Sequence, residues 1–302
     1  MNKPIEKKGL HDRNQHRFLY DFAALSVSLP ALKAFVAVNK YGNESIDFAN
    51  PAAVKMLNKA LLKHHYKIEN WDIPASYLCP PIPSRAEYIH QIADLLADSN
   101  KGEVPTGQQI RILDVGLGAN CIYPIIGHQE YGWAFVGSDI DSVSIRSAQK
   151  IVVENEDLKN AIECRFQPSK KHIFENIIRE KEKFDCTICN PPFHASAADA
   201  AKGTQRKLTN LGKKTDPKTT LNFGGQNAEL WCEGGEMAFI SKMIYESVHY
   251  RSQCKWFSSL VSKSENLKGI YAALKKVNAS SVKTIPIEVG NKISRIVAWR
   301  FF

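Results

Sequence analysis

Residues 110 to 120 read "IRILDVGLGAN", a short apolar run that ends at Gly116 and turns through a second glycine, Gly118. Two glycines at a strand end let the backbone pass close to a ligand, because neither carries a Cβ. The pattern continues downstream. "CIYPIIG" suits a helix, "AFVGSDI" a second strand and "SVSIRSAQKIVVEN" another helix. "IECRF" and "FDCTICN" supply a third and a fourth strand, with the helical spacing of "HIFENIIREKEK" between them. Then come a helix at "EMAFISKMIYESVHY", a strand at "CKWFSSLVS", a helix near "LKGIYAALKKV", and terminal strands in "SVKTIPIEV" and "SRIVAWRFF". Strands alternating with helices at this interval predict a doubly wound α/β domain. Its parallel sheet is covered on both faces and binds its ligand at the C-terminal ends of the strands.

Upstream, "PALKAFVAV" and "NPAAVKMLNKALLKHHY" have helical spacing, the second with an N-cap and proline start at Asn50-Pro51. Prolines 80, 81 and 83 then impose an extended path. "AEYIHQIADLLADSN" places Tyr88, Ile89, Ile92, Leu95 and Leu96 at helical intervals. The expected division is a basic N-terminal arm at 1–30, a helical extension at 31–105, and a core at 106–302 carrying a basic mobile loop at 202–228.

With 302 residues, 44% hydrophobic and 24% charged, the chain is neither disordered nor collagen-like. No apolar run approaches the roughly 18 residues of a membrane span, and residues 1–8 lack an apolar signal core, which predicts a soluble, cytoplasmic protein. Seven scattered cysteines suit reduced core thiols. Cys186 and Cys189 form a CxxC, but positions i and i+3 of a strand face opposite ways, and no second pair completes a zinc site, so no metal is expected. The net charge of +9 favours a polyanionic partner. Basic residues concentrate in two segments. One, at 1–17, includes Arg13 and Arg17; the other, at 202–218, includes Lys202, Arg206, Lys207, Lys213 and Lys214. Oligomeric state leaves no mark in the sequence, with a monomer the default.

The three-glycine dinucleotide fingerprint wants glycine at 121, where the chain has Cys121, and this weakens a nicotinamide reading. The second strand ends in "SDID", whose acids suit ribose hydroxyls; Asp141 serves equally as an N-cap for the following helix. The fourth strand decides the chemistry, since it ends in Asn190-Pro191-Pro192-Phe193, beside the glycine turn. Two prolines stiffen the backbone and leave carbonyls as its only polar groups there. The Asn190 side-chain oxygen and the Pro191 carbonyl can each accept one hydrogen of a conjugated amine and free its lone pair to attack a methyl group. Phe193 offers a stacking face for a flipped-out base.

"NPPF" after an apolar strand, with "LDVGLGANCIYPIIG" and "GSDID", resembles the amino-methyltransferases that use S-adenosylmethionine. "HRFLYDF", "SIDFANPAAVK", "WDIPASYLCPPIPSRAEYIHQIADLL", "CNPPFHAS", "GGQNAELWCEGGE" and "RIVAWRFF" together resemble the bacterial ribosomal RNA large subunit methyltransferase F family. More distantly, they are similar to eukaryotic enzymes that methylate adenine in spliceosomal small nuclear RNA. The resemblance runs nearly end to end. It implies a class I methyltransferase fold with an N-terminal helical extension. The implied activity is N6-methylation of an adenine in 23S rRNA or a large-subunit assembly intermediate, with S-adenosylmethionine as cofactor. It also implies cofactor contacts by Arg85, Asp114, Gly116, Gly118, Asp139, Asp141 and Asn190. Arg85 has independent sense as a bidentate partner for a carboxylate. The 202–228 loop corresponds to a mobile lysine-rich segment of the relatives, which suits a phosphate-gripping lid. The arm at 1–30 suits RNA backbone contact. Competing readings are a protein glutamine amide methyltransferase and an RNA-binding factor that keeps the fold without turnover.

Overall fold

The computed structural model describes residues 9–75, 77–196, 198–199, 227–290 and 292–302. A 3-10 turn at Gln15–Arg17 precedes helix α1 (Phe22–Ser28), capped by the Asp21 side chain on Ala24 N. A second 3-10 turn, Pro30–Phe35, runs into an antiparallel hairpin of β1 (Val36–Val38) and β2 (Glu44–Ile46). "PALKAFVAV" is therefore not the helix its spacing predicts. Gly42, at φ +80, helps the chain reverse, and Val36 and Val38 then find cross-strand partners. Helix α2 (Pro51–Tyr66) starts as expected, with the Asn50 side chain accepting from the Ala52 and Ala53 N–H groups. A strap without helix or strand, described at 67–75 and 77–81, leads to α3 (Ile82–Ala97), which buries Tyr88, Ile89, Ile92, Leu95 and Leu96, the stripe that the spacing marks.

The core follows as β3 (Arg111–Val115), α4 (Ile122–Tyr131), β4 (Ala134–Asp139), α5 (Ser142–Glu154), β5 (Ile162–Phe166) and β6 (Phe184–Cys189). After it come α6 (Asn227–Leu230), α7 (Gly235–Ser247), β7 (Cys254–Val261), α8 (Leu267–Lys276), β8 (Ser281–Val289) and β9 (Lys292–Arg300). Seven strands form one sheet in the order β5-β4-β3-β6-β7-β9-β8. The first five are parallel, as the alternation of strands and helices predicts, and the terminal β9 runs antiparallel to both neighbours. The two residues between β8 and β9 can close a hairpin and are far too few for a crossover.

Alternation along β3 and β9 divides the apolar side chains between two cores. Ile112, Ile296 and Ala298 face α2 to α5, whereas Leu113, Val297 and Trp299 face α7 and α8. Phe22 of α1 and Leu57 and Leu61 of α2 belong to the first core, so the N-terminal extension shares its packing with the sheet.

Two further expectations give way. Residues 172–183 form turns instead of a helix, although Ile173, Phe174, Ile177 and Ile178 are buried at helix-like spacing. The Glu246 carboxylate accepts from the N–H groups of Ile173, Phe174 and Glu175, each at 2.8 Å. Arg165 donates to Ile177 O and to Glu182, and Asn176 and Lys181 take positive φ. Glu246 thus takes N–H groups that a helix starting at His172 would leave unpaired, whereas Arg165 takes the Ile177 carbonyl that a helix would pair internally. The segment from residue 9 is likewise no loose arm: His11 N and Asn14 Nδ2 donate to Glu87, and a His16 ring nitrogen bonds the Tyr66 hydroxyl at 2.8 Å. Among the described residues no helix is long and apolar enough to cross a membrane.

Candidate active site

β3 ends at Val115, and Gly116 and Gly118 follow at φ +80 and +67, a region that disfavours side chains. Gly116 N and Leu117 N donate to Ser138 O, each at 2.9 Å, which holds the turn against the end of β4. An added Cβ at Gly116 would meet nothing within 4 Å, so the turn faces open space. Cys121, at the third-glycine position, itself takes φ +53.

That space is a cavity of about 730 Å³, within the range of small-molecule sites. Its lining includes Arg85, Gly116, Gly118, Asp139, Asn190, Pro191 and Pro192, so the fold brings together most of the catalytic and cofactor residues singled out in the sequence. Register explains the meeting. Cys189 of β6 lies opposite Val115 of β3, which puts Asn190 beside Gly116. The Asn190 Oδ1 atom is buried and has no hydrogen-bond partner among the described residues. Arg85, near the start of α3, has its guanidinium 5.5 Å from the Tyr123 ring centroid.

The acids divide by role. Asp139 lines the cavity and accepts from Gly118 N and Asp141 N at 2.9 Å each, which leaves lone pairs for a ligand. Burial pushes its carboxyl up to about 6, against the effect of those backbone bonds. Asp114 lies behind the turn, fully buried, with neither oxygen partnered among the described residues. Burial, then the neighbouring Asp139 charge, raises it to about 8 while Arg85 opposes. Asp141 is outside the cavity lining and caps α5, accepting from Val143 N, Ser144 Oγ and the Tyr77 hydroxyl. Of its two sequence readings, the structure shows the helix cap.

Phe193 is half-buried and does not line the cavity. Arg13 donates to the Tyr131 hydroxyl, His90 O and Asp94, and Arg17 donates to Asp12. Lys202, Arg206, Lys207, Lys213 and Lys214 lie outside the described residues.

Among the lining residues without a role in the sequence reading are Glu229 and Trp231. Glu229 accepts from Leu78 N at 3.1 Å and stands next to Gly118, tying the 67–81 strap to α6 over the glycine turn. Trp231 is held beside the Asn190–Phe193 segment by a parallel bridge with His194. Both lie in the stretch "GGQNAELWCEGGE", yet only the long-range bridge shows that it returns to the cavity.

A glycine turn at the end of β3, an acid at the end of β4 and an unpaired asparagine oxygen at the end of β6 fit an adenosyl cofactor beside an amine. This fold and cavity define a class I methyltransferase. Residues 5–302 match the model of a family described as RNA methyltransferase. The ribosomal RNA large subunit methyltransferase F of Photobacterium profundum is 56% identical, covering 99% of this chain and 94% of its own. Its namesake in Flavobacterium johnsoniae is 57% identical over 98% and 94%. Among solved structures, the human Mettl16 catalytic domain in complex with MAT2A 3'UTR hairpin 1 has a TM-score of 0.81. Its identity is 28%, over 98% of this chain and 96% of that one. The N-terminal domain of human METTL16 in complex with SAH has a TM-score of 0.76 at 26% identity, over 97% and 99%. The chain belongs to the RNA methyltransferase family that includes the ribosomal RNA large subunit methyltransferases F.

Proposed function

We propose that the protein methylates the exocyclic N6 of an adenine in 23S ribosomal RNA, in the cytoplasm, using S-adenosylmethionine and releasing S-adenosylhomocysteine and a proton. The observation that carries this reading is the Oδ1 of Asn190 at the cavity wall, buried and unpaired among the described residues, followed by two prolines. An acceptor left unpaired in the interior is costly, about 1 to 3 kcal/mol, and a donor on the substrate removes that cost. The two hydrogens of an adenine amino group match Asn190 Oδ1 and the Pro191 carbonyl. Accepting both draws the nitrogen lone pair out of conjugation with the ring and fixes its direction, so positioning supplies most of the rate. S-adenosylmethionine supplies an electrophilic methyl group when bound. Gly116, Gly118 and Asp139 would hold its nucleoside portion, and Arg85 its carboxylate. The names of the relatives and the basic segment at 202–218 favour ribosomal RNA as substrate.

The test is incubation with radiolabelled S-adenosylmethionine and ribosomal RNA from cells that lack the enzyme, followed by digestion to nucleosides. Label in N6-methyladenosine is expected. Label in glutamine of a protein substrate, or in no product, overturns the reading.

A further inference from the structure

The chain has five tryptophans. Four of their indole N–H groups are partnered inside the fold: Trp71 with Asn120 O at 2.9 Å, Trp133 with Pro105 O at 2.8 Å, Trp256 with Ser99 Oγ at 3.5 Å and Trp299 with Ser247 Oγ at 3.0 Å. The fifth, Trp231, has a buried Nε1 with no partner among the described residues. It is also the only one of the five in the wall of the 730 Å³ cavity.

Its placement is fixed by backbone pairing. His194 N donates to Leu230 O at 3.0 Å and Cys232 N donates to His194 O at 3.1 Å, so Trp231 runs alongside the chain that has just left Asn190-Pro191-Pro192-Phe193. Among the described residues, the wall of one cavity therefore carries a buried acceptor without a donor, Asn190 Oδ1, and a buried donor without an acceptor, Trp231 Nε1–H, with the unpartnered Tyr123 hydroxyl in the same wall. Each is costly when buried alone, and the two do not satisfy one another. A planar group with an amine next to a ring nitrogen satisfies both. Adenine offers that arrangement at N6 with N1 and at N6 with N7. A 6-oxopurine does not, because its oxygen would meet the Asn190 oxygen and its N1 carries a hydrogen.

We propose that the Trp231 indole N–H donates to the ring nitrogen beside the amino group of the target adenine, and that Trp231 is a specificity-determining residue of the reaction. The inference rests on the reading of the cavity as an adenine-N6 methyltransferase site. It assigns base selection to a residue 41 positions beyond Asn190 in the chain. The His194 bridge places Trp231 alongside the chain leaving the Asn190–Phe193 segment.

The experiment uses 23S rRNA transcripts carrying traces of 1-deazaadenosine or 7-deazaadenosine in place of adenosine, each lacking one of the two ring acceptors. After reaction with labelled S-adenosylmethionine and digestion, the N6-methylated analogue is compared with N6-methyladenosine from the same tube. For the wild-type protein one analogue is methylated about tenfold less efficiently than adenosine, the effect of one hydrogen bond to a neutral acceptor. In Trp231→Phe, which keeps an aromatic ring, N6-methyladenosine formation falls by a similar factor and the discrimination against that analogue disappears. Calorimetric affinity for S-adenosylhomocysteine stays within twofold. Equal use of both analogues by the wild-type protein overturns the proposal, as does unchanged discrimination in Trp231→Phe. A large loss of S-adenosylhomocysteine affinity assigns Trp231 to the cofactor and overturns it too. Absence of label in N6-methyladenosine with the wild-type protein and unmodified rRNA fails the adenine-N6 reading itself, whatever the tryptophan does.

Discussion

The docked N-terminal segment and the cavity at the end of β6 handle their polar groups in opposite ways. Beside the segment, Glu87 accepts from His11 N, Asn14 Nδ2 and Gln91 Nε2, and Arg13 reaches Tyr131, His90 O and Asp94. At the cavity, Asn190 Oδ1 and Trp231 Nε1 are buried without partners among the described residues, and so are both Asp114 oxygens just behind it. Polar groups paired within the chain hold the fold together. Those left unpaired in the interior cost stability; some, such as His90 Nε2 beside the segment, lie away from the cavity, and it is where they line it, as Asn190 and Trp231 do, that a ligand is expected.

The largest expected effect breaks the cavity side of this contrast. Asn190→Ala removes the unpaired acceptor and should lower turnover about 10³-fold, the scale of deleting a group that acts mainly in the transition state. Affinity for S-adenosylhomocysteine, measured by calorimetry, should stay within about tenfold. Loss of the thermal unfolding transition instead would make Asn190 a structural residue.

Asp114 tests the cost of the cavity directly. With its folded carboxyl near 8 and the ordinary value at 3.8, the folded state holds a proton that the unfolded chain has lost between those limits. Stability should therefore fall as pH rises from about 4 to 8, and the penalty should be complete above 8. Asp139, raised to about 6, adds to the same fall. Asp114→Asn removes the larger share, so urea unfolding at pH 8 should show a gain of several kcal/mol, about 1.4 for each pH unit crossed, that vanishes by pH 4. An equal gain at both pH values would separate the effect from proton linkage.

A smaller effect concerns the basic segment at 202–218. Replacing Lys213 and Lys214 with alanine should raise the RNA KM about tenfold. It should also reduce the salt slope by roughly 1.4 to 1.8, at 0.7 to 0.9 for each phosphate that is no longer neutralised. An unchanged slope would remove both lysines from the RNA interface.

What the sequence reveals follows the range of the interactions. The β3 turn and the Asn190 motif are readable because a few adjacent residues carry their own conformational and chemical demands. The Asn50 cap of α2 is readable for the same reason. The turns at 172–183 are not, because their partners come from other elements: Glu246, 73 residues beyond Ile173, holds the first N–H groups, and Arg165 of β5 takes the Ile177 carbonyl. Trp231 stays silent in the sequence since its place depends on pairing with His194 across residues 195–230. The hairpin of β1 and β2 hides behind apolar spacing that a helix shares, and the antiparallel β9 is legible only from the short link after β8.

The smallest expected effect sharpens the contrast from the N-terminal side. A basic residue near the start of the chain reads as an RNA contact, yet the Arg13 guanidinium already bonds Tyr131, His90 O and Asp94, whose carboxyl it helps to hold below the ordinary value against burial. Because the pair is more than a third exposed, solvent screens it, and Arg13→Ala should cost only about 1 kcal/mol in urea unfolding. The salt dependence of RNA binding should stay as in the unsubstituted protein, because a charge already neutralised by Asp94 releases few counterions from a phosphate chain. A slope reduced by about 0.7 or more in Arg13→Ala would show instead that the guanidinium exchanges Asp94 for RNA, and the docked segment would then belong to the substrate surface.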